Sequence, residues 1–288
     1  MKEINYQFLK NTIKPRPYNA HKGSMGSLLS ICGSYGMAGA EILSAKSALR
    51  TGVGLLRLLI LKSVYPIVAQ VVPEAVFLPA DNGDKPSFGM KNIDTINENI
   101  EKSKALLIGC GLSHNEDTES LVQYLVKNCK IPMVLDADGL NCIANHIHLL
   151  KEKSCDIIIT PHPGEMSRLT GLTVKEISAN PQKVAEDFSR EYGVVTVLKG
   201  ADTVISNGEE TYISYAGNPG MATGGSGDVL AGIISSLLAQ GYSPINSACC
   251  GVFIHGSAGD EAKKILGEAS MLPSDIVENI YKVFKNIE

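Results

Sequence analysis

Apolar residues along this chain come in short runs, and most of the runs end in glycine, an acid or a Pro-His pair. Residues 27–32 (SLLSIC), 55–61 (LLRLLIL), 76–78, 105–108 (ALLI), 133–135, 156–159 and 194–198 are too short for helices. Rich in Leu, Ile and Val, they predict buried strands. Helical spacing of apolar positions fills the gaps. It predicts helices over 41–50, 93–102, 121–127, 181–192, 227–239, 244–264 and 273–286, with a short one over 64–70. Pro181 stands at the start of its helix, where a missing N–H costs nothing. Residues 203–206 and 210–214 flank Asn207–Gly208, the favoured dipeptide of a tight hairpin. Strands alternating with helices predict an α/β fold, a three-layer α/β/α sandwich on a mostly parallel sheet. Residues 1–22 read as a leading arm and 81–92 as a surface loop. No composition break, linker or repeat divides the chain, so residues 1–288 are expected to form one domain.

One stretch departs from ordinary strand–helix alternation. Residues 217–238 read GNPGMATGGSGDVLAGIISSLL, and Val229, Leu230, Ile233, Ile234, Leu237 and Leu238 fall on one helical face. Before them stand Gly224, Gly225 and Gly227, with Ser226 between and Asp228 at the helix mouth. Glycines let backbone N–H groups converge on an anion, and the helix dipole adds to the attraction. An acid beside such a nest would repel that anion, unless it handles a proton on a group that attacks or receives a phosphate. A plain Gly-rich turn closed by an N-terminal acid is the competing reading, and the run of small residues weighs against it.

Composition narrows the partners. The net charge is −4 and the pI about 5.9, which argues against nucleic acid, since phosphate backbones need basic surface. Hydrophobic residues make up 44% and mean hydropathy is +0.06, as in a globular protein. No uncharged apolar run reaches the ~20 residues of a membrane span. The N-terminus lacks a signal-peptide pattern. Seven cysteines without a CxxC read as reduced thiols, so a cytoplasmic protein is expected.

Six loops carry residues with chemistry: GSYGMAGA, GCG, DADGLN, TPHPGE, LKGADT and GGSGD. Read as strand endings, they should share one cleft at the carboxyl edge of the sheet. Each has a plainer reading on its own. The acids of DADG serve equally as an N-cap and a solvated turn. His162 suits a rigid loop tip, and Lys199 a solvated strand end.

In this order the motifs resemble the ADP/ATP-dependent NAD(P)H-hydrate dehydratases, a branch of the ribokinase-like superfamily. KGSMGSLLSICGSYGMAGA, DADGLN, TPHPGEMSRL, VLKGADTVI and NPGMATGGSGDVLAGII carry the resemblance, from Lys22 to Ile234. Larger bifunctional members add an N-terminal epimerase domain, which is not expected in the stretch ahead of Lys22. The resemblance implies that Ala40, Gly111 and His162 meet the hydrated dinucleotide, and Asn141 of DADGLN is expected to help His162 position it. It implies that Lys199, Gly200, Ala201, Asp202 and Thr203, with Gly227, meet ADP or ATP. Asp228 would be the base at the substrate, and backbone N–H groups of Gly225, Ser226 and Gly227 the anion hole. Mg²⁺ would ride on the nucleotide phosphates, with Asp136 a water-mediated partner. Cys110 replaces an expected proline and Ser226 a frequent threonine. Bacterial members favour ADP and form tetramers, so a homo-oligomer is expected, with no nucleic-acid or membrane partner.

The activity implied is dehydration of the S form of NADHX or NADPHX. Two other functions share parts of the pattern. A small-molecule kinase for a sugar, a vitamin or a hydroxyethylthiazole-like alcohol would use the same GGSGD. A nucleotide-binding sensor would need the nest but gain nothing from Asp228.

Overall fold

The computed structural model describes residues 1–81, 83 and 85–288. Ten strands form one sheet: β1 (Lys2–Glu3), β2 (Ser27–Ile31), β3 (Leu55–Leu61), β4 (Val76–Ala80) and β5 (Ala105–Ile108) in its first half. Then come β6 (Met133–Leu135), β7 (Ile157–Ile159), β8 (Val195–Leu198), β9 (Thr203–Ser206) and β10 (Thr211–Ser214). Their spatial order is β1-β10-β9-β8-β7-β6-β5-β2-β3-β4, and only β9 runs against its neighbours. The central strands are buried at every position, which is why they read as unbroken apolar runs and not as alternation.

Helices α1 (Tyr6–Thr12), α2 (Ala38–Thr51), α3 (Tyr65–Val71), α4 (Ile93–Ile100), α5 (Glu116–Asn128) and α6 (Asp138–Ile143) occupy the first half. The second half holds α7 (Pro163–Thr170), α8 (Val174–Ala179), α9 (Pro181–Tyr192), α10 (Ser226–Ala239), α11 (Pro244–Leu266) and α12 (Pro273–Lys285). One layer packs α2, α10, α11 and α12 against each other, and the other joins α5 to α9. The expected three layers and mostly parallel sheet are therefore present. The close α2–α10 contact depends on small residues. A side chain on Gly232 would meet the Ser44 carbonyl and the Ser47 hydroxyl at about 2 Å.

Two local readings need correction, and one stretch carries no sequence-based expectation. The leading arm is structured: Ile4 and Leu9 are fully buried, and β1 pairs in parallel with β10. The stretch after TPHPGE is helical, as α7 and α8. The expected surface loop 81–92 is anchored, because Phe88 is fully buried and Asn115 donates to the Ser87 hydroxyl at 2.9 Å. Of that loop, Asn82 and Asp84 lie outside the described residues. No described helix is long and apolar enough to cross a membrane.

Candidate active site

Five of the six loops leave the carboxyl ends of β2, β5, β6, β7 and β8, as expected. The sixth, GGSGD, does not follow a strand directly: residues 215–225 separate β10 from α10. They bring the nest to the same edge by passing over α11.

The nest begins at Gly225, whose φ of +100° and whose distance of 2.6 Å from an added Cβ to Leu43 leave room only for glycine. Helix α10 has no side-chain N-cap. The Ser226 N–H turns back to the Thr223 carbonyl at 3.3 Å. The N–H groups of Gly225, Gly227 and Asp228 meet no protein acceptor among the described residues, so these amides, more than Ser226, are open to an anion.

Below them lies a buried charge cluster. Asp136, at the end of β6, accepts from Thr160 at 2.6 Å and from the Lys199 ammonium at 3.0 Å through one oxygen. Its other oxygen receives the Cys110 thiol at 3.5 Å. Lys199 also approaches Glu165 at 3.8 Å. A Cβ on Gly227 would lie 3.4 Å from the Lys199 Nζ, so the ammonium forms the floor of the nest. Burial opposes the charge on Lys199, but Asp136 and Glu165 outweigh it and hold its pKa above the ordinary lysine value. Asp228 is pushed up to about 6, first by burial and then by the charge of Asp136, against the lowering pull of Cys110 and Lys199. Cys110, Asp136 and Asp228 bring one ligand atom each within 4.8 Å of one another. This set does not suit a direct Mg²⁺ cage. The Cys32 thiol and burial keep the Cys110 thiol protonated, and both Asp136 oxygens already have protein partners.

The remaining predicted residues surround this cluster. Ala40 and Gly111 touch: a Cβ on Gly111, at φ +59°, would lie 2.7 Å from the Ala40 Cβ. The His162 ring caps α7, its Nδ1 accepting from the N–H groups of Gly164 and Glu165. In return Glu165 accepts from the His162 N–H at 2.7 Å. Asn141 is engaged within the protein, donating to Asp138 at 3.3 Å and accepting from Arg168 at 2.9 Å. The Lys199 N–H bonds to the Pro161 carbonyl at 2.9 Å, tying LKGADT to TPHPGE. Gly200, Ala201 and Asp202 are exposed on the rim, and Thr203 opens β9.

Sequence reasoning missed four groups. Glu41, fully buried under the first Gly-rich turn, accepts from Ser30 and from the Cys32 N–H, and burial pushes its pKa up to about 8. Glu165 was legible only as part of TPHPGE, without a role. His255 meets the Ser226 hydroxyl at 3.2 Å, and burial pulls its imidazole pKa down to about 4. Asp260 holds the loop before the nest. The available signal was polar residues (HGSAGD, 255–260) inside an otherwise apolar helix.

Open amides at a helix mouth, with a half-buried carboxylate among them, thus stand at the carboxyl edge of a ribokinase-like fold. The chain belongs to the NAD(P)H-hydrate dehydratase family, whose sequence profile matches residues 28–282. The bifunctional NAD(P)H-hydrate repair enzyme of Moorella thermoacetica is 37% identical over 97% of this chain and 53% of its own length. The chain thus spans about half the length of such bifunctional relatives. The ADP-dependent (S)-NAD(P)H-hydrate dehydratase of Neisseria meningitidis is 35% identical over 91% of this chain and 86% of its own. Among solved structures, the ADP/ATP-dependent NAD(P)H-hydrate dehydratase of Bacillus subtilis, co-crystallised with ATP and Mg²⁺, superposes with a TM-score of 0.84 at 27% identity. It is matched over 99% of this chain and 98% of that one.

Proposed function

We propose that this protein restores NADH or NADPH from the S form of its hydrate, consuming ADP or ATP. The observation that carries the proposal is Asp228 standing beside the open amides of Gly225 and Gly227, above the Lys199 ammonium. In the hydrate a hydroxyl sits on C6 of the nicotinamide ring, and hydroxide is a poor leaving group. Asp228 takes the hydroxyl proton as the oxygen attacks the terminal phosphorus of the nucleotide, releasing AMP from ADP or ADP from ATP. The nest amides hold the transferring phosphoryl oxygens. The ring nitrogen's lone pair then forms C6=N1 and expels phosphate with the C–O electron pair. Loss of a C5 proton gives the C5=C6 bond of the reduced dinucleotide.

Mg²⁺, carried in on the nucleotide phosphates, would neutralise their charge. Asp136 would meet it only through water. Ala40, Gly111 and His162 line the dinucleotide side, with Asn141 held by Arg168 of α7. Lys199 to Thr203 and Gly227 line the nucleotide side. Seven free cysteines fit a reducing compartment.

The test mixes the protein with NADHX, Mg²⁺ and either nucleotide and follows recovery of dihydronicotinamide absorbance. A phosphorylated product that accumulates without that recovery would identify a kinase instead. Activity should fall on acidification through about pH 6, since a base must be deprotonated and burial has raised Asp228 to about 6. An acid limb of kcat/KM near 4 would contradict that assignment.

Ala40→Leu tests the dinucleotide side. Three extra heavy atoms would press on Gly111, with about 1–3 kcal/mol of stability lost to overpacking. In the folded variant, binding of NADHX should drop sharply while ADP binding persists. Calorimetric titration with both ligands, after a melt showing one cooperative transition, decides it. An unchanged KM for NADHX would remove Ala40 from the substrate border.

A further inference from the structure

The loop that delivers the nest, residues 215–225, contains no strand and one short 3₁₀ helix, Pro219–Met221. Its shape comes from α11. Asp260 on α11 accepts from the Gly217 N–H with one carboxylate oxygen and from the Asn218 amide with the other, both at 3.0 Å. Asn218 in turn uses its own side-chain oxygen to accept from the Gly220 N–H at 3.1 Å, which closes the turn. Two helical turns of α11 repeat this contact. A Cβ on Gly256 would lie 2.3 Å from the Ala216 carbonyl, and one on Gly259 2.3 Å from the Met221 sulfur. At the exit of the loop, His255 meets the Ser226 hydroxyl at 3.2 Å. Residues 255, 256, 259 and 260 share one helical face, so a single face of α11 grips the loop at its entry, middle and exit.

We infer that Asp260 is a positioning residue for phosphoryl transfer: through Asn218 it fixes where the Gly225 and Gly227 amides point. This rests on the dehydratase reading for its chemistry, though not for its geometry. An anion hole acts only if its donors are placed before the charge develops, and a displacement of about 1 Å can cost about 10²-fold in rate. Asp260 does not touch the reacting atoms. Its role depends on the match between a carboxylate with two acceptors and a backbone and side-chain amide with two donors.

That match allows a reciprocal test. In Asp260→Asn, the new amide nitrogen faces the amide nitrogen of Asn218; if Asn218 flips, its nitrogen faces the Gly220 N–H instead. In Asn218→Asp, two carboxylates confront each other. In the double variant N218D/D260N every donor regains an acceptor: Asn at 260 accepts from Gly217 and donates to Asp at 218, which accepts from Gly220. Each single variant should keep a cooperative melt and its KM for NADHX, lose about 10²-fold in kcat, and bind ADP about tenfold more weakly in calorimetry. The double variant should recover both kcat and ADP affinity. Wild-type ADP affinity and kcat in Asp260→Asn, or a double variant no better than the singles, would overturn the inference. ADP affinity is read without turnover. If the wild type binds ADP yet leaves NADHX unrepaired, the dehydratase reading fails while the loop grip is still judged by the ADP titrations.

Discussion

Asn in place of Asp228 should leave ADP affinity within a few-fold of wild type and lower turnover by ~10²–10⁴-fold, the range for loss of a general base. The substitution keeps the shape of the side chain and removes its ability to take a proton. Asp228 sits at the third position of α10, where its charge cannot help a bound phosphate and its burial raises its pKa to about 6. A group placed there for binding alone would be better neutral. Single-turnover measurement with excess enzyme separates the chemical step from product release. A rate above about a tenth of wild type, outside the general-base range, would assign the proton to another group.

The strands were legible because both faces of the central sheet are covered: ALLI, MVL and III have no polar position to confuse with a helix. Pro181 and the Asn207–Gly208 turn were legible for local reasons, a fixed φ and a hairpin twist. What escaped was non-local. Strand β1 is two residues long and exists only because β10, more than two hundred residues away in sequence, offers an edge. Phe88 stands in a polar stretch, and its full burial has no local signal there. Helix α7 was hidden because its N-cap is a histidine ring, an unusual acceptor for that position.

In the site, two pairs named from the family pattern lie together, Ala40 against Gly111 and Gly227 above Lys199. The supporting residues were harder to read. Glu41 passes for an ordinary acid in the first turn of a helix. His255 and Asp260 sit in a helix whose apolar positions signal core. Their partners, Ser226, Gly217 and Asn218, lie some thirty to forty residues earlier, and nothing in local spacing pairs them.

Lys199 is where the structure changes the expected result most. Membership of the LKGADT loop alone makes Lys199→Ala a change that weakens mainly nucleotide binding. The ammonium is instead enclosed, its side chain 21% exposed, between Asp136 at 3.0 Å and Glu165 at 3.8 Å. Removing one partner of a buried pair leaves uncompensated charge and typically costs about 3–5 kcal/mol. Lys199→Ala should therefore lower the midpoint of chemical denaturation with little change in m-value. In the folded fraction, ADP affinity should fall more than NADHX affinity, because the Nζ faces Gly227. Glu165, freed from the lysine, still holds the His162 N–H. The double variant D136N/K199M removes both charges together and should recover much of the stability, as replaced buried pairs often do. It should not recover turnover, since the positive floor of the nest is gone. A single variant within about 1 kcal/mol of wild type, far below the cost of breaking a buried pair, would mean that water screens the lysine. Equal loss of both ligands' affinities would dissolve the division of the cleft into nucleotide and dinucleotide sides.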